Sequence, residues 1–369
     1  MLATFVPCIA SRGGRRRKIL VPQYVTTCCN QGPLPHILSS SRASAPPKNF
    51  FLNTKLNRPD YRNLPSDYDS LIEVADETYF FLPIWNGCPF VAKERVVFWS
   101  PLQLREFVNT SRFSQSELPL VARLCDTDSP LANFVAVDVS RADPPPLSVG
   151  EKIIPMRAAI SFLSETDATL ISHARALLNW HSSTKFCSAC GGLTEVIHGA
   201  TARVCRNSEC ATRNIYPRVM PSVLVLVIRP ETDEILLGRK ASWAKDRYSV
   251  LAGYAEIFES LEHAVAREVL EETGVIVDET SITYHSSQPW PSLPHASLMA
   301  AFCANVYGET NAQIKVDTAE LESAKWFKRK WLQEWLDVDG GISIPGRTSV
   351  ARRLISAWLE QRSMKGSYE

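Results

Sequence analysis

Glu268, Glu271 and Glu272 stand three and four residues apart in the run Arg267-Glu268-Val269-Leu270-Glu271-Glu272. On a helix that spacing places all three carboxylates on one side. Like charges on one stripe repel each other. A hard divalent cation removes that repulsion and still leaves room for water or phosphate oxygens. Glutamates alone fit a solvated acidic face as well, so the surrounding pattern has to decide. Ala266, Val269, Leu270 and Thr273 fall on nearly the opposite side and are expected to pack on a sheet. A second cluster offers softer ligands, Cys187-x-x-Cys190 and Cys205-x4-Cys210. Close cysteine pairs in a chain that does not read as secreted favour a metal over disulfides. Cys8, Cys28, Cys29, Cys88, Cys125 and Cys303 are scattered and read as free thiols. His181 and His198, near the cysteine pairs, are expected at the surface and not as ligands.

Periodicity gives the elements that must position these groups. Residues 260–273 read as the acidic helix, with a short strand ahead of it leading into Gly253. Strands are expected at 222–229 and 234–239, joined by a turn at 230–233, and again at 281–286 and 297–306. With helices at 331–335 and 349–361 they make an α/β or α+β core at about 217–362. Residues 164–180 predict a helix: Ser164 with Asp167 resembles a capping box, and Leu170, Ala174, Leu177 and Leu178 repeat at helical spacing. Apolar runs at 78–85 and 91–98, separated by Asn86-Gly87, predict a small β-rich unit. The chain thus divides into an unstructured basic leader (1–60), a β-rich domain (61–140), a linker and helix (141–180), a cysteine ribbon (181–216) and the core (217–362).

The spacing around the glutamates is specific. Gly253, five residues, Glu259, seven residues, Arg267-Glu268-Val269, one residue, Glu271-Glu272, one residue and Gly274-Val275 fill every fixed position of the Nudix box. The chain therefore resembles the Nudix hydrolases, which cleave a nucleoside diphosphate linked to another group. The resemblance implies an α+β protein whose catalytic domain is an α/β/α sandwich, with Mg2+ or Mn2+ as catalytic cofactor. It implies Glu268 and Glu272 as metal ligands, Glu271 beside them as ligand or base, and the Ala252 carbonyl as a further oxygen. Glu259 and Arg267 would lock loop to helix, Gly253 would let the strand-to-helix loop turn, and Gly274 would end the motif. Bound to a diphosphate, such cations neutralise charge and lower the pKa of the attacking water.

Ser287-Gln288-Pro289-Trp290-Pro291, with Ser297-Leu298-Met299 after it, resembles the signature of the NADH pyrophosphatase branch. That branch also carries a four-cysteine zinc ribbon before the catalytic domain and a variable N-terminal domain. The resemblance covers about residues 150–362. It implies hydrolysis of NADH-type dinucleotides to a nicotinamide mononucleotide and AMP, and a homodimer. It further implies substrate contacts at Tyr216, Gln288, Pro289, Trp290, Pro291 and Ala351, a metal carboxylate at Glu320, and structural zinc on Cys187, Cys190, Cys205 and Cys210. Two departures stand out. The Phe expected after Pro291 is missing, in a segment about two residues longer than the family's, which leaves the choice among NADH, NAD and other dinucleotides open. The distal cysteine pair is separated by four residues where the family has two, a spacing that still permits tetrahedral zinc.

Bulk composition narrows the classes. The 369 residues carry a formal net charge of +1 and are 45% hydrophobic, which supports neither a nucleic-acid-coating nor a membrane-surface protein. No apolar run approaches the length that crosses a bilayer. Basic residues from Arg12 to Arg58 precede the first acidic residue, Asp60, so the leader resembles a mitochondrial transit peptide. A cytoplasmic protein with a basic tail is the alternative. ADP-ribose hydrolysis and removal of NAD caps from RNA are the competing enzyme activities. A zinc-ribbon nucleic-acid-binding module and a degenerate scaffold are the competing non-enzymes; near-neutral charge weighs against the first and the intact box against the second.

Overall fold

The computed structural model describes residues 67–111, 121–123, 133–143, 145–290, 296–338 and 340–361. The expected leader lies outside the described residues. The N-terminal part begins with α1 (Tyr68–Val74), β1 (Tyr79–Trp85), β2 (Cys88–Ala92) and β3 (Arg95–Val96). Asn86 and Gly87 both take positive φ, 48° and 74°, and close the β1–β2 hairpin as the sequence predicts. The run at 91–98 is not one strand, because Lys93 (φ 49°) and Glu94 (φ 60°) reverse the chain between β2 and β3. After α2 (Pro101–Ser111), β4 (Val121–Arg123) and β5 (Asn133–Asp138), the sheet has the order β3-β2-β1-β5-β4, with β1 and β5 parallel.

The short strand β6 (Lys152–Ile153) pairs with β2 and leads to α3 (Met156–Phe162) and α4 (Glu165–Ser183). Ala159, Ile160, Ile171, Ala174 and Leu178 from these helices share one core with Leu82, Ile84 and Ala136 of the sheet. Residues 141–180 therefore pack as part of the N-terminal module. Ser164 caps α4 by accepting from the Asp167 N–H, while the Asp167 carboxylate reaches across to Arg95 at 3.1 Å.

Three short antiparallel strands follow, β7 (Thr194–Ile197), β8 (Ala202–Cys205) and β9 (Asn214–Ile215). The last module holds β10 (Val219–Arg229), β11 (Glu234–Arg239), β12 (Leu251–Tyr254), α5 (Leu261–Thr273), β13 (Thr283–Trp290), β14 (Ala296–Asn305), β15 (Ser323–Lys328), α6 (Arg329–Trp335) and α7 (Val350–Glu360). Its sheet runs β13-β14-β10-β11-β15, with β12 also paired to β10. The apolar run in β10 feeds both faces: Val223, Val225 and Val227 pack with α5, Leu224 and Leu226 with α7. Burial on two faces is why the run is continuous instead of alternating, and it makes this module an α/β/α sandwich. β13 continues to Trp290, four residues past the expected end at 286. Pro289 is tolerated there because β13 is the outermost strand. Among the described residues no helix is long and apolar enough to cross a membrane.

Candidate active site

Helix α5 starts at Ser260, whose hydroxyl accepts from the His263 N–H, and stops at Gly274, where φ is +68°. A side chain at Gly274 would also press on Lys315, 3.2 Å from the added carbon. The buried side of the helix combines Ala264, Val265, Val269 and Thr273 with Glu268 and Glu272. Leu270, expected in the apolar stripe, is instead 50% exposed. The cause lies in β12. An added carbon at Gly253 would sit 1.9 Å from Cδ of Glu268, so the bare α-carbon is what admits this carboxylate to the sheet. Gly253 lies within β12 without positive φ, so its role is close approach, not the expected turn.

Arg267 uses all five of its N–H groups. Nε and Nη2 donate to the Glu259 carboxylate at 2.7 and 2.9 Å, and Nη2 also donates to the Tyr254 carbonyl at 2.9 Å. Nη1 donates to Glu268 at 2.9 Å and to Glu271 at 2.8 Å. One planar guanidinium thus ties the loop after β12 to two carboxylates of α5. The ion pair with Arg267 holds the Glu259 carboxyl down to about 2 and raises the guanidinium in turn.

Ligand oxygens of Glu268, Glu272 and Glu320 lie within 4.8 Å of one another. Glu320 comes from the loop before β15, 48 residues after Glu272, a convergence that only the fold creates. Glu271 is not in this trio; its exposed carboxylate rests on Arg267. Glu272 is 1% exposed, and its Oε2 is buried without a hydrogen-bond partner. Burial, reinforced by Glu268, pushes the Glu272 carboxyl up to about 8; Lys240 and the Ala252 N–H pull the other way. Burial also raises Glu268. An orphaned carboxylate oxygen beside two more carboxylates is costly alone and well suited to a hard divalent cation. The donor set fits Mg2+ or Mn2+. Lys240, which the sequence pattern did not single out, is the cation whose charge opposes the rise at Glu272, as Arg267 does at Glu268.

Some of the residues expected to meet substrate lie at one end of the same sheet. Trp290 stands opposite Ser297, Ser297 opposite Met220, and Tyr254 opposite Ser222 two residues further along β10. Three strand spacings separate β13 from β12, roughly 14 Å. Tyr216, 58% exposed, precedes β10 at this end. Gln288 is buried with its amide fully engaged: Nε2 donates to the Thr348 carbonyl at 2.8 Å and Oε1 accepts from the Val350 N–H at 2.9 Å. It therefore holds the start of α7 to β13. Ala351 is in that first turn, but its methyl faces the core. Pro289 is exposed and Pro291 lies outside the described residues. The Arg157 guanidinium of α3 covers the Trp290 ring at 5.4 Å from its centroid, a contact between modules that no local motif announces.

The four cysteine sulfurs also converge within 4.8 Å. Sγ of Cys187 is 3.8 Å from that of Cys210, and Cys190 is 3.5 Å from Cys205. These separations are far beyond a disulfide bond and match the ~3.8 Å sulfur–sulfur edge of tetrahedral zinc with ~2.3 Å bonds. The Ala189 and Cys190 N–H groups hold the Cys187 thiol down to about 6. His181, expected at the surface, is 1% exposed: its Nε2 pairs with the Ala200 carbonyl at 2.7 Å and its Nδ1 with Arg203 at 3.0 Å. Arg203 can only donate, so Nδ1 accepts and the ring is neutral; burial lowers it to about 4. Arg203 also donates to the Thr194 hydroxyl at 2.7 Å, so buried hydrogen bonds join α4 to the ribbon.

Residues 218–343 match the family pattern described as "NUDIX domain", and residues 78–180 match "NADH pyrophosphatase-like rudimentary NUDIX domain". The NAD-capped RNA hydrolase of Schizosaccharomyces pombe is 30% identical over 357 residues, covering 85% of this chain and 93% of that protein. The chain belongs to the Nudix hydrolase family. Within this Nudix family it is also similar to the mitochondrial NAD(P)H pyrophosphatase NUDT13 of Mus musculus, 36% identical over 58% of the chain and 61% of that protein. The NAD-capped RNA hydrolase NUDT12 of Macaca fascicularis is 36% identical over 56% of the chain and 44% of its own length. The chain thus spans less than half the length of this last relative.

Proposed function

We propose that this Nudix protein hydrolyses the diphosphate bond of NADH- or NAD-type dinucleotides, giving a nicotinamide mononucleotide and AMP. The single observation that carries the reading is the buried, partner-free Glu272 oxygen beside Glu268 and Glu320. When bound there, Mg2+ or Mn2+ supplies charge neutralisation at the diphosphate and acidifies a water. The chain's own contribution is positional. Arg267 fixes Glu268 and the loop, Glu271 stands at the exposed rim as a proton acceptor, and the Ala252 carbonyl remains the proposed further ligand. Tyr216 and Trp290 are proposed to receive the bases, and the cysteine cluster to hold structural zinc. Exposed Val219, Met220 and Tyr254 at the same sheet end support pairing with a second copy. The acid-free basic stretch and the mitochondrial mouse relative support an organellar, mitochondrial location.

Removal of NAD caps from RNA is the second reading, favoured by the names of two relatives. A panel of NADH, NAD, ADP-ribose and NAD-capped RNA with Mg2+ and Mn2+, products read by mass, tests both. The expected result is NMNH and AMP from NADH, abolished by Glu272→Gln. Equal, slow turnover by both proteins would overturn the assignment, and release of capped ends alone would favour the RNA reading.

A further inference from the structure

The loop from β12 to α5 carries two apolar side chains into solvent, Ile257 at 99% and Phe258 at 108% exposure. The Glu259 N–H donates to the Glu256 carbonyl at 3.3 Å, making a four-residue turn with Ile257 and Phe258 at its centre. Phe258 takes φ +70° in this turn, the place that glycine fills when a third turn position needs positive φ. Among the described residues it is the only phenyl ring held in that region. The sequence therefore accepts backbone strain and two exposed hydrophobes at one point. The loop is nevertheless firmly held: the Glu256 N–H donates to the Glu259 carboxylate at 2.8 Å, and Arg267 grips both Glu259 and the Tyr254 carbonyl.

Phe258 is the neighbour of Glu259, and Arg267 links Glu259 to Glu268 through contacts of 2.7 and 2.9 Å. The ring is thus one residue from the clamp of the carboxylate trio and beyond Tyr254, at the sheet end that also holds Tyr216 and Trp290. A diphosphate held on that trio carries a nucleoside on each side, and a flat heterocycle stacks on a rigid phenyl face at little entropic cost. We propose that Phe258 is a base-stacking wedge that selects substrates with a heterocycle on that side of the diphosphate. The inference rests on the dinucleotide reading above, and Phe258 acts on affinity instead of the chemical step.

Phe258→Gly tests it without endangering the fold, because glycine relieves the positive φ. The expected result is a KM for NADH about tenfold higher, kcat within about twofold, an unchanged or higher Tm, and a KM restored to within about twofold in Phe258→Trp. An unchanged KM overturns the wedge. So does a raised KM that accompanies dissociation of a dimer in light scattering, which would assign the ring to a second copy. If the wild type does not hydrolyse NADH, the functional reading fails separately; equilibrium dialysis of NADH against wild type and Phe258→Gly then decides, with weaker binding by the variant expected and equal binding contradicting the proposal.

Discussion

Among the described residues, the two clusters of side chains that could hold a metal ion are built on opposite principles. The cysteine cluster is local: two short pairs within 24 residues, held by knuckle N–H groups and flanked by a three-stranded ribbon. The carboxylate cluster is assembled from afar, with Glu268 and Glu272 turned inward from α5 and Glu320 delivered by a distant loop. Sulfur ligands tolerate a site that folds around the ion. A diphosphate-cleaving centre instead needs carboxylates fixed beforehand and one side left open. The difference predicts that damage to the first unfolds a module, and that damage to the second stops turnover in a folded protein.

Glu272→Gln should have the largest effect, lowering kcat on the order of 10^3-fold with an unfolding midpoint that does not fall. Steady-state kinetics beside calorimetry would check it, and a folded variant with wild-type kcat would erase the contrast. Cys205→Ser should act the other way, destabilising the ribbon by about 3 kcal/mol or more while the folded fraction keeps kcat within about threefold. Hydrogen exchange localised to residues 187–210 would read that loss.

Acid should find the seam between α4 and the ribbon. His181 sits at about 4 in the folded chain against an ordinary 6.5, so the unfolded chain binds its proton first. Its stability contribution is complete above pH 6.5 and drains away as pH falls toward 4, on the order of 3 kcal/mol in all. Denaturant midpoints across that window should slope for the wild type and flatten for His181→Gln. Gly253→Ala should cost about 10^2-fold in turnover, because the new methyl displaces the Glu268 carboxylate. If Gly253→Ala retained full activity, close approach would not be what that position provides.

How much of this was legible in the sequence differs between the same regions. The Nudix box pointed to the helix and, through the family resemblance, to the Glu259–Arg267 pair, since both lie along one turn and one loop; the caps at Ser260 and Gly274 came with the fold. The inward rotation of α5 was not legible: periodicity placed Leu270 in the core, but Gly253 and Glu268 make contact only after β12 pairs with β10. Phe258 was invisible for a related reason, since its strain is a property of backbone angle and not of residue type. His181 was misplaced because its partners, Ala200 and Arg203, come from the hairpin beyond the first cysteine pair. Strand ends at 286 and 98 failed where Ser and Pro, or Lys and Glu, hid pairing and turning from a hydrophobic pattern.

Glu268, Glu272 and Glu320 are proposed to form a divalent-cation centre for diphosphate hydrolysis. Mn2+ binding measured by electron paramagnetic resonance on wild type, Glu272→Gln and Cys205→Ser tests it most directly. The expected result is a tight Mn2+ site in the wild type, its loss in Glu272→Gln and its retention in folded Cys205→Ser. Wild-type Mn2+ affinity in Glu272→Gln would contradict it.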